Sequence, residues 1–181
     1  MKKRSTNEVF GEALLELLKT KPIESITVGQ IVETSGFSAK SFYNHFTDKY
    51  QLMLWIEKDE KRRIHQRAAD SGYQFHEYLM GVIEGNIRLK DYIKNGVFRV
   101  KDQLLFSSFR VDGIYDGAVA YLKEKNDIDE IPADVLFDLR MHIYGIVGII
   151  SDHINLPVMT TDELAWRIEG TLSDKLKPYY L

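Results

Sequence analysis

Cysteine is absent from the 181 residues, so disulfides, thiolate-held metals and cysteine nucleophiles are excluded. Proline occurs only four times, which leaves room for long uninterrupted helices. No apolar run approaches the ~18–20 residues of a membrane span. The basic start Met1-Lys2-Lys3-Arg4 leads into an amphipathic pattern holding Glu8, Glu12 and Glu16, not into an apolar signal segment. The expectation is a cytoplasmic chain with no membrane partner. Catalytic signatures are missing as well. There is no Gly-x-Gly-x-x-Gly, no P-loop, no nucleophile elbow and no His-x-x-x-His spacing. His65, His76, His142 and His153 therefore read as ordinary polar or pocket-lining residues. A non-enzyme without metal or cofactor is expected.

A strong basic excess is also lacking. The formal net charge is −3, a mild argument against nucleic acid as a partner. The average hides an asymmetry, because residues 1–49 are close to neutral or slightly positive and the acidic excess lies beyond them. Lys2, Lys3, Arg4, Lys40 and Lys49 have room to converge on a phosphate backbone while Glu12, Glu16 and Glu33 face elsewhere. Local placement decides.

What the chain does contain is helical periodicity throughout, which predicts an all-α protein. A first helix is predicted from Thr6 to Lys19, with Val9, Phe10, Ala13, Leu14, Leu17 and Leu18 as its apolar stripe and Pro22 closing it off. The informative stretch follows. Thr27 is a good N-cap, and Val28, Ile31 and Val32 then share one helical face. Gly36 stands where that helix must stop, a place for positive φ. Ser38 caps a second short helix whose Phe42 and Phe46, four apart, point into a core. Its other face carries Ala39, Lys40, Ser41, Tyr43, Asn44 and His45. This is a helix-turn-helix with a second helix equipped to lie in a DNA major groove.

Asp48 is the predicted cap of a long fourth helix that runs into the sign-alternating segment Glu57–Arg67, read as a solvated connector. Ser71-Gly72 marks a break. Helical patterns are predicted over about 73–94, 97–109, 112–125, 133–155 and 161–177. The fourth of these is almost wholly apolar over Ile143-Tyr144-Gly145-Ile146-Val147-Gly148-Ile149-Ile150, so it should be buried on all sides. The last carries Leu164, Ile168, Leu172 and Leu176 at four-residue spacing. Such a pair suits a homodimeric four-helix interface built on Ile143, Ile146, Val147, Ile150, Leu164, Ile168 and Leu172. Completion of the chain's own core is the alternative.

Ile26-Thr27-Val28, then Ser35-Gly36-Phe37-Ser38, then Ser41-Phe42-Tyr43-Asn44-His45-Phe46, Asp48-Lys49 and Leu52 resemble the TetR family of bacterial transcription regulators. The resemblance spans about a quarter of the chain. The form from Phe42 to Ile56 is similar to a subset that includes dihydroxyacetone-kinase operon regulators. It implies an N-terminal three-helix DNA-binding domain, residues 1–49, and a C-terminal helical bundle for regulation and dimerisation, residues 50–181. Carried over residue by residue, it implies that Thr27 offers its hydroxyl and N–H to a phosphate, at a helix end that favours anions. Ser38, Ala39, Lys40 and Ser41 would enter the major groove, and Tyr43, His45 and Lys49 would bond phosphates. Lys40 is the best base reader, toward guanine O6 and N7, while Ala39 suits a thymine methyl and Asn44 adenine. The partners implied are a pseudo-palindromic double-stranded operator, a second copy of the chain and a small-molecule effector. Tyr73, Phe98, Phe106, Phe109, Tyr115 and Tyr144 are the candidate pocket aromatics, with plain core packing as the competing reading for each. A repressor is expected. A same-fold DNA-binding protein without an effector is the first alternative, and an interaction module that keeps the helix-turn-helix as scaffold is the second.

Overall fold

The computed structural model describes residues 4–97 and 111–181, and every described regular element is helical, as expected for an all-α chain. In the order of the chain these are α1 (Thr6–Leu18), a 3-10 turn (Ile23–Ser25), α2 (Val28–Ser35), α3 (Ala39–His45) and α4 (Lys49–Asp70). Then follow α5 (Phe75–Arg88), a π-helical turn (Tyr92–Gly96), α6 (Val111–Asn126), α7 (Ala133–Asn155), α8 (Thr161–Glu169) and α9 (Lys177–Tyr180). The chain divides into two compact units.

The first unit holds residues 4–61 and 89–97. Its first helix is fixed by a reciprocal cap, in which the Glu8 N–H donates to Ser5 Oγ at 3.2 Å and the Ser5 N–H donates to Glu8 Oε2 at 2.7 Å. Phe10, Ala13, Leu14 and Leu18 recur three to four residues apart, so they form one buried stripe. Gly11 permits α4 to lie close, since a Cβ there would stand 3.1 Å from the Trp55 ring. The Phe10 ring is the hub, with Phe42 edge-on at 5.2 Å and Phe46 at 6.3 Å. Asp48 caps α4 as expected, accepting from the N–H groups of Tyr50 and Gln51 at 2.8 Å each.

This unit does not end with its first run of chain. Leu89, Tyr92 and Val97 are buried, the Tyr92 hydroxyl donates to Met53 O at 2.9 Å, and Asn95 Nδ2 donates to Leu18 O at 2.8 Å. The last bond supplies one of the carbonyl partners that the end of α1 lacks. Where a single helix over 73–94 was expected, α5 stops at Arg88 and the chain widens into the π-helical turn.

The second unit holds residues 62–88 and 111–181. Here α4 ends in a turn in which Gly72 (φ 69°) and Tyr73 (φ 60°) both take left-handed conformations. Tyr73 is held there by its own N–H on Ala68 O and by the Tyr121 hydroxyl on Tyr73 O at 3.0 Å. The core draws Phe75, Leu79 and Ile83 from α5 and Tyr121 and Leu122 from α6. Leu139, Ile143 and Ile150 come from α7, and Leu164 and Ile168 from α8. Tyr180 closes it, 4.0 Å from Phe75 between ring centres.

The expected last helix over 161–177 is cut short, and residues 170–176 are turn and irregular before α9 begins. It stops at Glu169, Gly170 follows, and Ser173 Oγ turns away to donate to Asp138 Oδ2 at 2.7 Å. A serine offered a side-chain acceptor and a glycine three residues before it favour a turn over continued helix. Leu172 and Leu176 keep their core positions even so. The expected helix over 97–109 falls, apart from Val97, outside the described residues.

Candidate nucleic-acid interface

The helix-turn-helix is built from three local decisions. Thr27 accepts from the Gln30 N–H at 3.2 Å while Gln30 Oε1 accepts from the Thr27 N–H at 3.0 Å, a closed capping box. Gly36 ends α2 at φ 72°, a backbone that costs a residue bearing Cβ about 1–2 kcal/mol. Ser38 then caps α3 by accepting from the Ser41 N–H at 3.1 Å. Thus each short helix begins and ends where its sequence dictates.

The orientation of α3 comes from aromatic packing. Phe42 is fully buried and Phe46 nearly so, and their rings lie 5.6 Å apart beneath Phe10. With that side held inward, Ala39, Lys40, Tyr43, Asn44 and His45 are exposed and Ser41 is half-buried. Tyr43 is 59% exposed, its ring braced edge-on by Phe42 at 5.5 Å. Lys40, the Tyr43 hydroxyl and Asn44 make no hydrogen bond or ion pair among the described residues. Their donors and acceptors stand free on one face.

Two of the expected contacts are arranged differently. The Thr27 N–H is already spent on Gln30, so what this helix end offers an anion is the Thr27 hydroxyl proton and the first-turn N–H groups of Val28 and Gly29. Lys49 is turned inward instead of toward a phosphate. Its ammonium donates to Ile23 O and Ile26 O at 2.7 Å each and lies 3.4 Å from Glu24 O. Partial burial lowers its pKa, with the charges of Glu24 and Asp48 pulling the other way. Arg4 is an exposed partner of Glu12 at 2.8 Å, and Lys2 and Lys3 lie outside the described residues.

Three of the six residues expected at a ligand pocket are described, each with its own surroundings. Tyr73 donates to Glu124 Oε1 at 3.1 Å, Tyr115 lies under the Arg140 guanidinium at 4.2 Å, and Tyr144 is exposed. Phe98, Phe106 and Phe109 lie outside the described residues. Of the seven residues expected at a dimer interface, Ile143, Ile150, Leu164, Ile168 and Leu172 are consumed by the chain's own core, and Ile146 and Val147 are half-buried against it. Within one chain α7 is not buried all round. Phe137 is 66% and Met141 61% exposed, and Tyr144, Gly145, Gly148 and Ile149 continue the open side. Trp166 is exposed on α8. The signal for this side was in the sequence, since 137, 141, 144 and 148 recur at helical spacing. The continuous apolar run from Ile143 to Ile150 masks it.

Residues 12–56 match the family model of bacterial regulatory proteins, tetR family. Over 70 residues the chain is 27% identical to the HTH-type dhaKLM operon transcriptional activator DhaS of Lactococcus lactis subsp. lactis (strain IL1403). That match takes in 38% of this chain and only 37% of the relative. Two solved structures share the fold over nearly the whole chain. One is a dihydroxyacetone kinase operon activator DhaS, at TM-score 0.70 and 18% identity, with 96% of this chain and 97% of that one covered. The other is a TetR transcriptional regulator from Rhodococcus sp. RHA1, at TM-score 0.52 and 16% identity, covering 97% and 98%.

Proposed function

We propose that the chain, whose residues 12–56 match the tetR family of bacterial regulatory proteins, regulates transcription as a homodimer. In this reading α3 enters the major groove of a pseudo-palindromic operator. The observation that carries the proposal is the free polar side of α3, with Lys40, Tyr43 and Asn44 unbonded and aimed outward by the Phe42–Phe46 anchor. Lys40 reads guanine, Ala39 meets a thymine methyl, Tyr43 and His45 bond phosphates, and Asn44 suits adenine. Ser38 and Ser41 hold the groove-facing end of the helix. The start of α2 receives one more phosphate through Thr27, Val28 and Gly29.

A second copy is the partner we assign to the open side of α7. Phe137, Met141, Tyr144 and Ile149 are the large apolar groups left in water there, and Gly145 and Gly148 let another backbone approach. A two-fold dimer places two recognition helices about 34–36 Å apart, one turn of DNA, or a multiple of it. A small molecule bound in the second unit is the proposed modulator. A preference of ~3 kcal/mol for the non-binding conformation weakens operator affinity roughly a hundredfold.

The sign of regulation has two readings. Repression is the sequence expectation, whereas both DhaS relatives carry the word activator in their names. A reporter fused to the target promoter, read with and without the regulator, decides between them.

The binding test is direct. Footprinting of the intergenic region beside the gene should show a protected pseudo-palindrome. Contacts to six to ten phosphates per dimer would lower affinity by ~10³–10⁵ between 50 and 200 mM salt. A Lys40→Ala, Tyr43→Phe double variant that folds and dimerises normally should lose operator binding; equal binding would refute the recognition-helix assignment.

A further inference from the structure

We propose that Lys49 is a positioning residue for operator binding, acting through the Thr27 end of α2 and not by touching DNA; the proposal rests on the DNA-binding reading above. Lys49 stands at the first position of α4, where the helix dipole disfavours a cation and Asp48 already caps the free N–H groups. Its ammonium therefore needs acceptors from elsewhere. It finds them in the turn that leads into α2, at Ile23 O and Ile26 O, 2.7 Å each, with Glu24 O at 3.4 Å. An ammonium has three protons, and three carbonyls surround this one.

The placement of those carbonyls gives the tether its consequence. Ile23 and Ile26 bury their side chains completely or nearly so, which pins the turn from the core side. Lys49 pins the same two residues by their backbone, and Ile26 is bonded directly to Thr27. The extended backbone of Thr27 (φ −101°, ψ 157°) is thereby set from one side by Lys49 and from the other by Gln30. Convergent carbonyls repel one another without a cation among them. Loss of the ammonium should splay the turn and swing the Val28 and Gly29 N–H groups off a phosphate. A phosphate contact by Lys49 itself would require giving up these bonds.

The test measures operator affinity by fluorescence anisotropy between 50 and 200 mM salt, on full-length variants that circular dichroism shows folded at the working temperature. Lys49→Gln should weaken binding about fivefold. The slope of log affinity against log salt should stay within about half a unit of wild type. In a Thr27→Ala background the same change should cost less than about twofold, because the lysine acts through that end of α2. Lys49→Arg is the second variant. Its planar fork is ill-shaped for three carbonyls converging on a point, so it should lose affinity as glutamine does. A slope reduced by about 0.9 per protomer, or an arginine variant that binds as well as wild type, would show a direct phosphate contact and overturn the proposal. So would unchanged affinity in Lys49→Gln, or full additivity with Thr27→Ala. A wild-type protein that binds no operator in a salt-dependent way would instead bring down the DNA-binding reading itself.

Discussion

The outward sides of α3 and α7 pose the same physical question with opposite chemistry. Both helices bury one side, α3 through Phe42 and α7 through Leu139, Ile143 and Ile150. Both leave the other side without a partner among the described residues. On α3 that side is Lys40, Tyr43, Asn44 and His45, groups rich in donors. On α7 it is Phe137, Met141, Tyr144 and Ile149, groups that gain by leaving water. A surface of donors suits a polyanion, and a surface of large apolar side chains suits another apolar surface. On the proposed reading the two sides answer to two different partners.

The largest effect should come from striking the inner side of α3. Phe42 is fully buried among Phe10, Tyr43 and Phe46. Its replacement by alanine should cost about 3–5 kcal/mol of stability in a urea titration, and operator binding should go with it. Tyr43→Ala, one residue away and outward, should leave the unfolding free energy from the same titration within about 0.5 kcal/mol of wild type. If both variants lost stability alike, the inner and outer sides of α3 would be misassigned.

A charge on the open side of α7 comes next. Met141→Asp should leave the fold of the single chain intact, because that side chain packs on little within it. Burying an unpaired carboxylate against a second copy should cost about 3 kcal/mol, which weakens association more than a hundredfold. Sedimentation velocity would read this as a shift from dimer to monomer. An unchanged mass would remove α7's outward side from the interface, and with it the contrast drawn above.

The two regions also differed in how legible they were. The caps at Thr27 and Ser38, the αL glycine at Gly36 and the inward Phe42–Phe46 pair are local devices, each decided within four residues. Local devices can be read from sequence. The fate of the Lys49 ammonium depends on carbonyls 23 to 26 positions away, so nothing near it in the chain announced the tether. In α7 the apolar run hid which side was inner, because Ile143 and Ile150 differ from Ile149 only in what the fold places opposite them. The break in the last helix was legible in Gly170 and Ser173, but the four-residue leucine spacing outweighed it. Likewise, the return of residues 89–97 to the first unit rests on long-range contacts of Tyr92 and Asn95.

A smaller effect tests the turn between α2 and α3. Gly36→Ala meets no steric obstacle, since nothing stands within 4 Å of the added Cβ, but the φ of 72° remains. The expected cost is about 1–2 kcal/mol of stability, all of it conformational. Gly36→Asn should recover part of that loss in the same thermal melts, because asparagine tolerates the left-handed region better. An alanine variant as stable as wild type would mean that the turn relaxes without loss.

The smallest effect lies on α7 and concerns pH. His142 sits between exposed Met141 and buried Ile143, and its Nε2 is buried with no hydrogen-bond partner among the described residues. Burial lowers its pKa below the usual 6.5 by penalising the charged ring. The unfolded chain therefore takes up a proton at this site more readily than the folded one, so stability rises with pH here. The contribution is whole above the unfolded value near 6.5 and drains away as pH falls below it toward the lower folded value. Thermal melts at pH 7.5 and 5.0 should show wild type losing more on acidification than His142→Leu. Equal losses would mean that the ring reaches water in the folded state. That result would place His142 on the open side of α7, with Met141, and widen the surface offered to a second copy.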